Sequence, residues 1–194
     1  MSVPDEPRLD SDAVLVADVQ AGKAGAFERL YQRYWRWVMK IALSRIADEM
    51  EAEDAAIETF EDVVRGIAGF RGEAQFSTWL CRVALNRIAH HARRSRNEPV
   101  LVGITESDAL TPSLEAEHDL RVDLEAVLRD VRLLPRLQAQ AFTLRHLVGL
   151  ELSEVAAVLG VSSATAGMRI SRAVATLRRR RDARLGSESE VHER

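Results

Sequence analysis

The sequence has little cysteine and no long apolar run. Cys81 is its single cysteine, so the chain can form no internal disulfide and offers no cysteine-based zinc site. Because Cys81 lies within an apolar segment, we expect it to be a buried structural thiol. No apolar run approaches the roughly 20 residues that span a bilayer, and the acidic N-terminus has no signal-peptide core. We therefore expect a cytoplasmic protein with no membrane insertion.

Aromatic residues are also scarce. They make up only 5% of the chain, whereas hydrophobic residues as a whole make up 46%. Alanine, leucine, valine and arginine dominate, a composition that favours helices and argues against a β-sandwich or β-barrel. The sequence has no glycine-rich phosphate loop, no metal-ligand cluster and no nucleophile–base pair. We therefore predict an all-α protein that is not an enzyme and has no cofactor, metal site or small-molecule substrate.

The net charge of −3 conceals an uneven distribution of charge along the chain. Residues 74–97 contain five arginines and no acidic residue. Residues 98–126 contain eight acidic residues and one basic residue, whereas residues 127–185 contain eleven basic and four acidic residues. Basic segments on both sides of an acidic connector indicate that the protein binds nucleic acid.

Apolar residues recur at helical spacing in two regions of the chain. The first region predicts a compact bundle of helices over about 27–46, 51–67 and 76–94. The second predicts helices over about 124–134, 136–148, 152–159 and 163–181. Prolines, a glycine and acidic residues between the two regions indicate a flexible linker. We therefore predict a first domain over 1–97, an acidic linker over 98–122, a second domain over 123–185 and a disordered tail over 186–194.

The second domain contains the spacing of a helix-turn-helix. Gly160 can supply the left-handed turn that ends one short helix, and Ser162 or Ser163 can cap the next. The second helix of such a pair enters the major groove of DNA, where arginines bind phosphates and guanine edges. A solvated helix on a plain helical hairpin is the alternative interpretation. The basic run that ends this helix favours DNA binding, and it consists of Arg178, Arg179, Arg180 and Arg181.

Short motifs follow one another in a defined order across the two domains. The first domain contains Glu51-Ala52-Glu53-Asp54, Glu58-Thr59-Phe60, Phe70-Arg71-Gly72-Glu73, Phe76-Ser77-Thr78-Trp79-Leu80 and Val83-Ala84-Leu85-Asn86. The second contains Leu134-Pro135, Leu144-Arg145, Gly149-Leu150, the helix-turn-helix, Arg169 and Arg172-Ala173. In this order the motifs resemble the extracytoplasmic-function sigma factors of the sigma-70 family, over residues 20–97 and 120–182. The resemblance implies a sigma region 2 bundle of three to four helices and a sigma region 4 helix-turn-helix bundle.

The resemblance also implies a function and partners. It implies a transcription initiation factor that binds core RNA polymerase, through the β′ clamp helices and the β flap, and directs it to promoter DNA. Control by an anti-sigma factor in a stress or envelope response is a further expectation. The implied polymerase-binding residues are Glu53, Asp54, Ile57, Glu58, Glu61 and Asp62. Those for the minus-ten element are Arg71, Gln75, Trp79, Arg82, Asn86, Arg87, His90, Arg93 and Arg94. Those for the minus-thirty-five element are Ser163, Thr165, Met168, Arg169, Ser171, Arg172 and Arg178.

The sequence departs from the family pattern at two of these residues, Ile57 and Met168, and at the neighbouring Gly167. Ile57 stands where the family usually has glutamine, so the polymerase-facing surface is more apolar. Gly167 and Met168 stand where the family has a basic residue and a serine, which leaves fewer polar groups to contact bases. A sigma mimic that binds an anti-sigma factor without reading promoters is therefore an alternative, as is an unrelated helix-turn-helix repressor. Trp79 also fits the apolar stripe of its helix, so core packing competes there with base stacking.

Overall fold

The computed structural model describes residues 11–94 and 115–192, with side chains over 11–94 and 124–184. Every regular element within these residues is helical, and the predicted all-α fold is confirmed. The predicted linker residues 98–114 and the last two residues of the chain lie outside the described residues. Across the described ranges, no helix is both long enough and apolar enough to cross a membrane.

Four helices form the first unit: α1 (Asp12–Gln20), α2 (Ala26–Leu43), α3 (Glu49–Ile67) and α4 (Phe76–Arg94). The side chain of Asp48 begins α3 by accepting a hydrogen bond from the amide of Glu51 at 2.9 Å. Small residues on α3 allow the neighbouring helices to pack closely, since Ala52, Ala55 and Ala56 have no exposed surface. Cys81 is buried in this unit as predicted, and burial raises the pKa of its thiol to about 12.

The second unit contains α5 (Glu115–Arg132), α6 (Arg136–Phe142), a π-helical segment (Thr143–Val148), α7 (Leu152–Leu159) and α8 (Ser163–His192). Pro135 separates α5 from α6, because its ring prevents the preceding residue from continuing a helix. Gly149, with φ of +94°, ends the π-helical segment in a backbone conformation that favours glycine. The predicted helix over 136–148 is therefore an α-helix that widens into a π-helical segment at its C-terminal end.

Two predicted boundaries differ from the structure. Helix α5 begins at Glu115, inside the predicted linker over 98–122, because glutamate and alanine favour the start of a helix there. Helix α8 continues to His192 and therefore passes through most of the predicted disordered tail over 186–194. A guanidinium nitrogen of Arg184 lies 3.0 Å from a carboxylate oxygen of Asp130, which ties this part of α8 to α5.

The two units pack against each other. Helix α2 contacts the π-helical segment, and α4 contacts α7, so that buried apolar residues of both units form one cluster. Two arginines donate hydrogen bonds across this contact. Arg132 donates to the carbonyl of Leu43 at 2.9 Å, and Arg82 donates to the carbonyl of Ala157 at 2.5 Å. The sequence predicts separate domains but does not predict this closed arrangement.

Candidate nucleic-acid interface

Helix α3 presents an exposed apolar ridge. Met50, Ile57 and Val64 are 69%, 43% and 53% exposed, and their spacing of seven residues places them along one side of the helix. The acidic residues one turn away from the ridge are also exposed, namely Glu53, Asp54 and Glu61. This surface, which we call the α3 ridge, therefore combines apolar contact area with negative charge.

Glu58 and Asp62 lie on a different side of α3 and face α4. Arg87 donates two hydrogen bonds to the carboxylate of Asp62, at 2.5 and 2.6 Å. Glu58 lies near the same guanidinium, at 3.7 Å, and near Nδ1 of His91, at 3.5 Å. The hydrogen bonds from Arg87 hold the pKa of the Asp62 carboxyl below its usual range, although partial burial opposes this shift. Contacts of Glu58 and Asp62 with polymerase, and of Arg87 with DNA, stay predictions. In this structure the three side chains contact one another within the first unit.

A cavity of about 540 Å³ lies between α1 and the loop that joins α3 to α4. Arg71 and Gln75 line it on the loop side, and Ser11, Asp12 and Gln20 line it on the side of α1. The volume is within the range of ordinary ligand pockets and exceeds what one nucleobase needs. The family resemblance implies that Arg71 and Gln75 lie near DNA, but the sequence pattern does not predict α1 or its contribution to the cavity.

Trp79 belongs to an aromatic cluster beneath the same loop. Its ring centroid lies 5.4 Å from that of Phe70 and 5.6 Å from that of Phe76. A methyl group added at Gly66 would approach the Trp79 ring to 3.1 Å, so α3 passes very close to the indole. The side chain is partly buried in this cluster, which agrees with core packing. A contact between Trp79 and DNA stays a prediction.

Most of the other residues predicted to contact the minus-ten element are exposed. Arg82 is exposed but donates to the carbonyl of Ala157 on α7, so this guanidinium is engaged in the closed arrangement. No group of three or more potential metal ligands occurs in the described residues, His90 and His91 included. The exposed residues of the predicted set are Arg71, Gln75, Arg82, Asn86, His90, Arg93 and Arg94.

Helices α7 and α8 form the predicted helix-turn-helix. Gly160, with φ of +63°, ends α7, and the side chain of Ser162 accepts a hydrogen bond from the amide of Thr165 at 3.2 Å. The cap is therefore Ser162 rather than Ser163. A Cβ atom added at Gly167 would have its nearest neighbour 4.0 Å away, so this position has room for a side chain. Among the predicted DNA-binding residues, Thr165 and Arg169 are partly buried, and the exposed ones are Ser163, Met168, Ser171, Arg172 and Arg178.

Comparisons with known proteins decide what this arrangement is. The profile for Sigma-70 region 2 matches residues 30–98, and that for Sigma-70, region 4, matches residues 124–177. The RNA polymerase sigma-H factor of Pseudomonas aeruginosa is 32% identical over 84% of this chain and 90% of its own length. The ECF RNA polymerase sigma-E factor of Haemophilus influenzae is 34% identical over 84% of this chain and 91% of its own length. This chain belongs to the extracytoplasmic-function sigma factors of the sigma-70 family.

Solved structures agree with this assignment. The structure of CnrH in complex with the cytosolic domain of CnrY resembles this sigma factor with a TM-score of 0.70 and 26% identity, over 90% of this chain and 99% of that chain. RpoE of Bartonella quintana, in a complex with the anti-sigma factor NepR, shares the fold at a TM-score of 0.61 and 19% identity. The resemblance inferred from the motifs is confirmed. The protein is a transcription initiation factor that binds core RNA polymerase and promoter DNA, and it is not an enzyme.

The contact between Asp62 and Arg87 makes stability depend on pH. A carboxyl group whose pKa is lowered in the folded state stabilises the fold above its unfolded pKa of about 3.9, and this stabilisation is lost as the pH falls through the folded value. We expect Asp62→Asn to cost about 1 kcal/mol at neutral pH and less at about pH 3. Urea unfolding at both pH values measures the difference. Asp54→Asn, an equal charge change on exposed α3 surface, is the control, and an equal pH dependence of both variants would contradict the assignment.

Proposed function

We propose that this sigma factor docks on the β′ clamp helices of RNA polymerase through the α3 ridge. The apolar side chains of the ridge are exposed to solvent, whereas the other sides of α3 pack against α2 and α4. Exposed apolar surface of this kind is typical of a protein contact site, which supports the proposed role. The flanking carboxylates favour a basic partner and steer its approach. Ile57 fits such a surface, since its side chain adds apolar area at the centre of the ridge. Glu53, Asp54 and Glu61 are the carboxylates that we assign to this contact.

We propose that the cavity between α1 and the α3–α4 loop receives a base extruded from the minus-ten element. This cavity is the observation that carries the proposal, because melting a duplex requires a place for an unstacked base. The freed strand then follows the exposed arginines of α4, which bind phosphates without reading sequence. Arg82, Arg93 and Arg94 provide that surface, with Asn86 and His90 between them along the helix.

We propose that α8 reads the minus-thirty-five element and that α5 and α6 provide a second polymerase contact. The exposed polar residues of α8 lie on the helix that follows the turn at Gly160, as in other helix-turn-helix proteins. Few of them can discriminate bases, so the shape of the DNA and its phosphates supply much of the affinity. Leu133 and Leu137 are 60% and 51% exposed where α5 meets α6, and we assign this apolar surface to the β flap.

Reading both promoter elements requires the two units to separate. The minus-ten and minus-thirty-five elements are named for positions about 25 base pairs apart, which corresponds to about 85 Å along B-DNA. Helices α4 and α7 are in direct contact in the closed arrangement and cannot reach both elements at once. The 20 residues between Arg94 and Glu115 extend to about 70 Å at most, so the chain is long enough for much of this separation. We therefore propose that core polymerase binds an opened form and that an anti-sigma factor stabilises a closed one; RpoE of Bartonella quintana, which shares this fold, is bound to the anti-sigma factor NepR in its structure.

The docking proposal predicts the effect of charge reversal on α3. We expect Asp54→Lys to weaken binding to core polymerase about tenfold or more, because it places a positive charge opposite a basic partner. The stability of the fold should change by less than about 0.5 kcal/mol, since the side chain is exposed. Glu28→Lys reverses an exposed charge on α2, outside the proposed polymerase contacts, and serves as the control. Binding and run-off transcription are measured with purified core polymerase. Unchanged affinity of the Asp54 variant would contradict the docking site, and absence of promoter-specific transcripts with the unaltered chain would favour the sigma mimic.

The opening proposal predicts a change in distance on binding. Cys81 is buried, so fluorophores can be attached selectively to cysteines introduced by Ala24→Cys and Ser153→Cys, one exposed position in each unit. We expect high energy transfer in the free chain and a large decrease when core polymerase is added. A pair within one unit, Ala24→Cys with Ala68→Cys, should show no change. Constant transfer for the first pair at saturating polymerase would show that the units stay together.

The room for a side chain at Gly167 on α8 predicts that a single substitution increases the affinity for promoter DNA. Gly167→Lys adds one cation where the structure has room, and it removes a glycine that costs about 1 kcal/mol within a helix. We expect tighter binding to the upstream element and a steeper dependence on salt, by about 0.9 in the log–log slope. Gly167→Ala separates the effect of helix stability from that of charge. Loss of binding in both variants would mean that the glycine itself is needed at this position.

A further inference from the structure

Helix α1 is attached to the rest of its unit at both ends. At its start, Asp12 accepts a hydrogen bond from Arg33 at 2.7 Å and another from the hydroxyl of Tyr34. At its end, the side-chain amide of Gln20 donates to the carbonyl of Ile67 at 2.8 Å and to that of Phe70 at 2.9 Å. These last two bonds join residues about fifty positions apart in the chain. They connect α1 directly to the segment that leaves α3.

The two carbonyls lie where α3 ends and the chain turns. Ile67 is the last residue of α3, and the final carbonyls of a helix have no partner within the helix. The chain then turns tightly, with the amide of Phe70 donating to the carbonyl of Ile67 at 3.1 Å. A primary amide has two hydrogens on one nitrogen, so Gln20 can bind both carbonyls at once. The Gln20 side chain therefore bridges the two ends of the turn.

This turn sets the position of the cavity wall. Phe70 directly precedes Arg71, which lines the cavity, and its ring packs against Phe76 and Trp79 at centroid distances of 5.8 and 5.4 Å. Ring contacts with Phe76 and Trp79 thus hold the ring of Phe70, and the hydrogen bond from Gln20 holds its carbonyl. A backbone held at both places cannot rotate freely, so the residues that follow it keep one orientation toward the cavity.

We infer that Gln20 is a positioning residue for promoter melting: its amide holds the turn at 67–70 so that the loop presents the cavity in the shape that accepts one extruded base. This inference rests on the proposed minus-ten function of the loop. Gln20 acts through backbone carbonyls, because the hydrogen bonds of its side-chain amide to Ile67 and Phe70 both go to the protein. Its loss should change the selection of bases more than the affinity for polymerase, since the α3 ridge is a separate surface.

The test uses Gln20→Glu in the full-length chain. Glutamate keeps the shape of the side chain but replaces the donating nitrogen with an oxygen that repels the two carbonyls. Gln32→Glu is the matched control, because it makes the same charge change on exposed α2 surface, where the side-chain amide donates to Glu28 of the same helix. Gln20→Lys is the rescue variant, because its ammonium group again offers donors to both carbonyls.

Three quantities are measured for each variant. Hydrogen exchange of the amides over 68–75 in the free chain reports on the turn, and it should accelerate about three- to tenfold in Gln20→Glu only. Open-complex formation on promoters that carry each of the four bases at the extruded position should lose discrimination by a similar factor. Affinity for core polymerase should stay within about twofold of the unaltered chain. Gln20→Lys should recover at least part of both losses.

The outcomes separate this inference from the proposed function. If the unaltered chain shows no preference among the four bases, the minus-ten function of the loop is wrong, whatever the variants do. If the unaltered chain discriminates and Gln20→Glu discriminates equally, the positioning role is overturned. It is also overturned if Gln20→Glu lowers polymerase affinity as much as discrimination, because the effect would then come from the whole unit.

Discussion

The apolar contact between the two helical units is the constraint that decides which surfaces of the chain can act together. It joins α2 to the π-helical segment and α4 to α7, and it leaves the α3 ridge and the first turns of α8 exposed. A chain in this state can meet a partner through α3 but cannot read two distant DNA elements. Each large apolar side chain that opening exposes costs about 1.5–3 kcal/mol. The partner that opens the chain must therefore offset several kcal/mol through its own contacts.

Helix α4 illustrates how one element divides its charges between these tasks. Its apolar side, which includes Leu80 and Ile88, is buried in the unit. Arg87 is directed to Asp62 on α3, whereas Arg82 reaches across to α7. A pair such as Arg87 and Asp62 is retained when the units separate, because both residues belong to the same unit. In the proposed opened form the hydrogen bond from Arg82 is broken, and its guanidinium becomes available to a phosphate.

The sequence predicts what depends on strong periodicity and misses what depends on short elements or on contacts between units. Helices α2 to α4 and the turn at Gly160 follow from long apolar stripes and a glycine that ends a helix. Helix α1 is only nine residues long, which is shorter than the window over which a helical period can be recognised. The contact between units could not be predicted, because residues such as Leu144 and Val155 fit equally well in the core of a single domain. Charge alone likewise could not distinguish Arg87, which binds within its unit, from Arg93, which is exposed.

The elements with the weakest sequence patterns surround the cavity, and this has a consequence for how the chain selects promoters. Helix α1 packs against α2, α3 and α4, and all the described residues that line the cavity beside it belong to the first unit. Closure therefore engages Arg82 but leaves the cavity accessible. Under the proposed functions, a closed chain cannot read two elements together, but it can still receive a base. We therefore expect selection of promoters that carry both elements to depend on opening, and selection of the extruded base to be a property of the first unit alone.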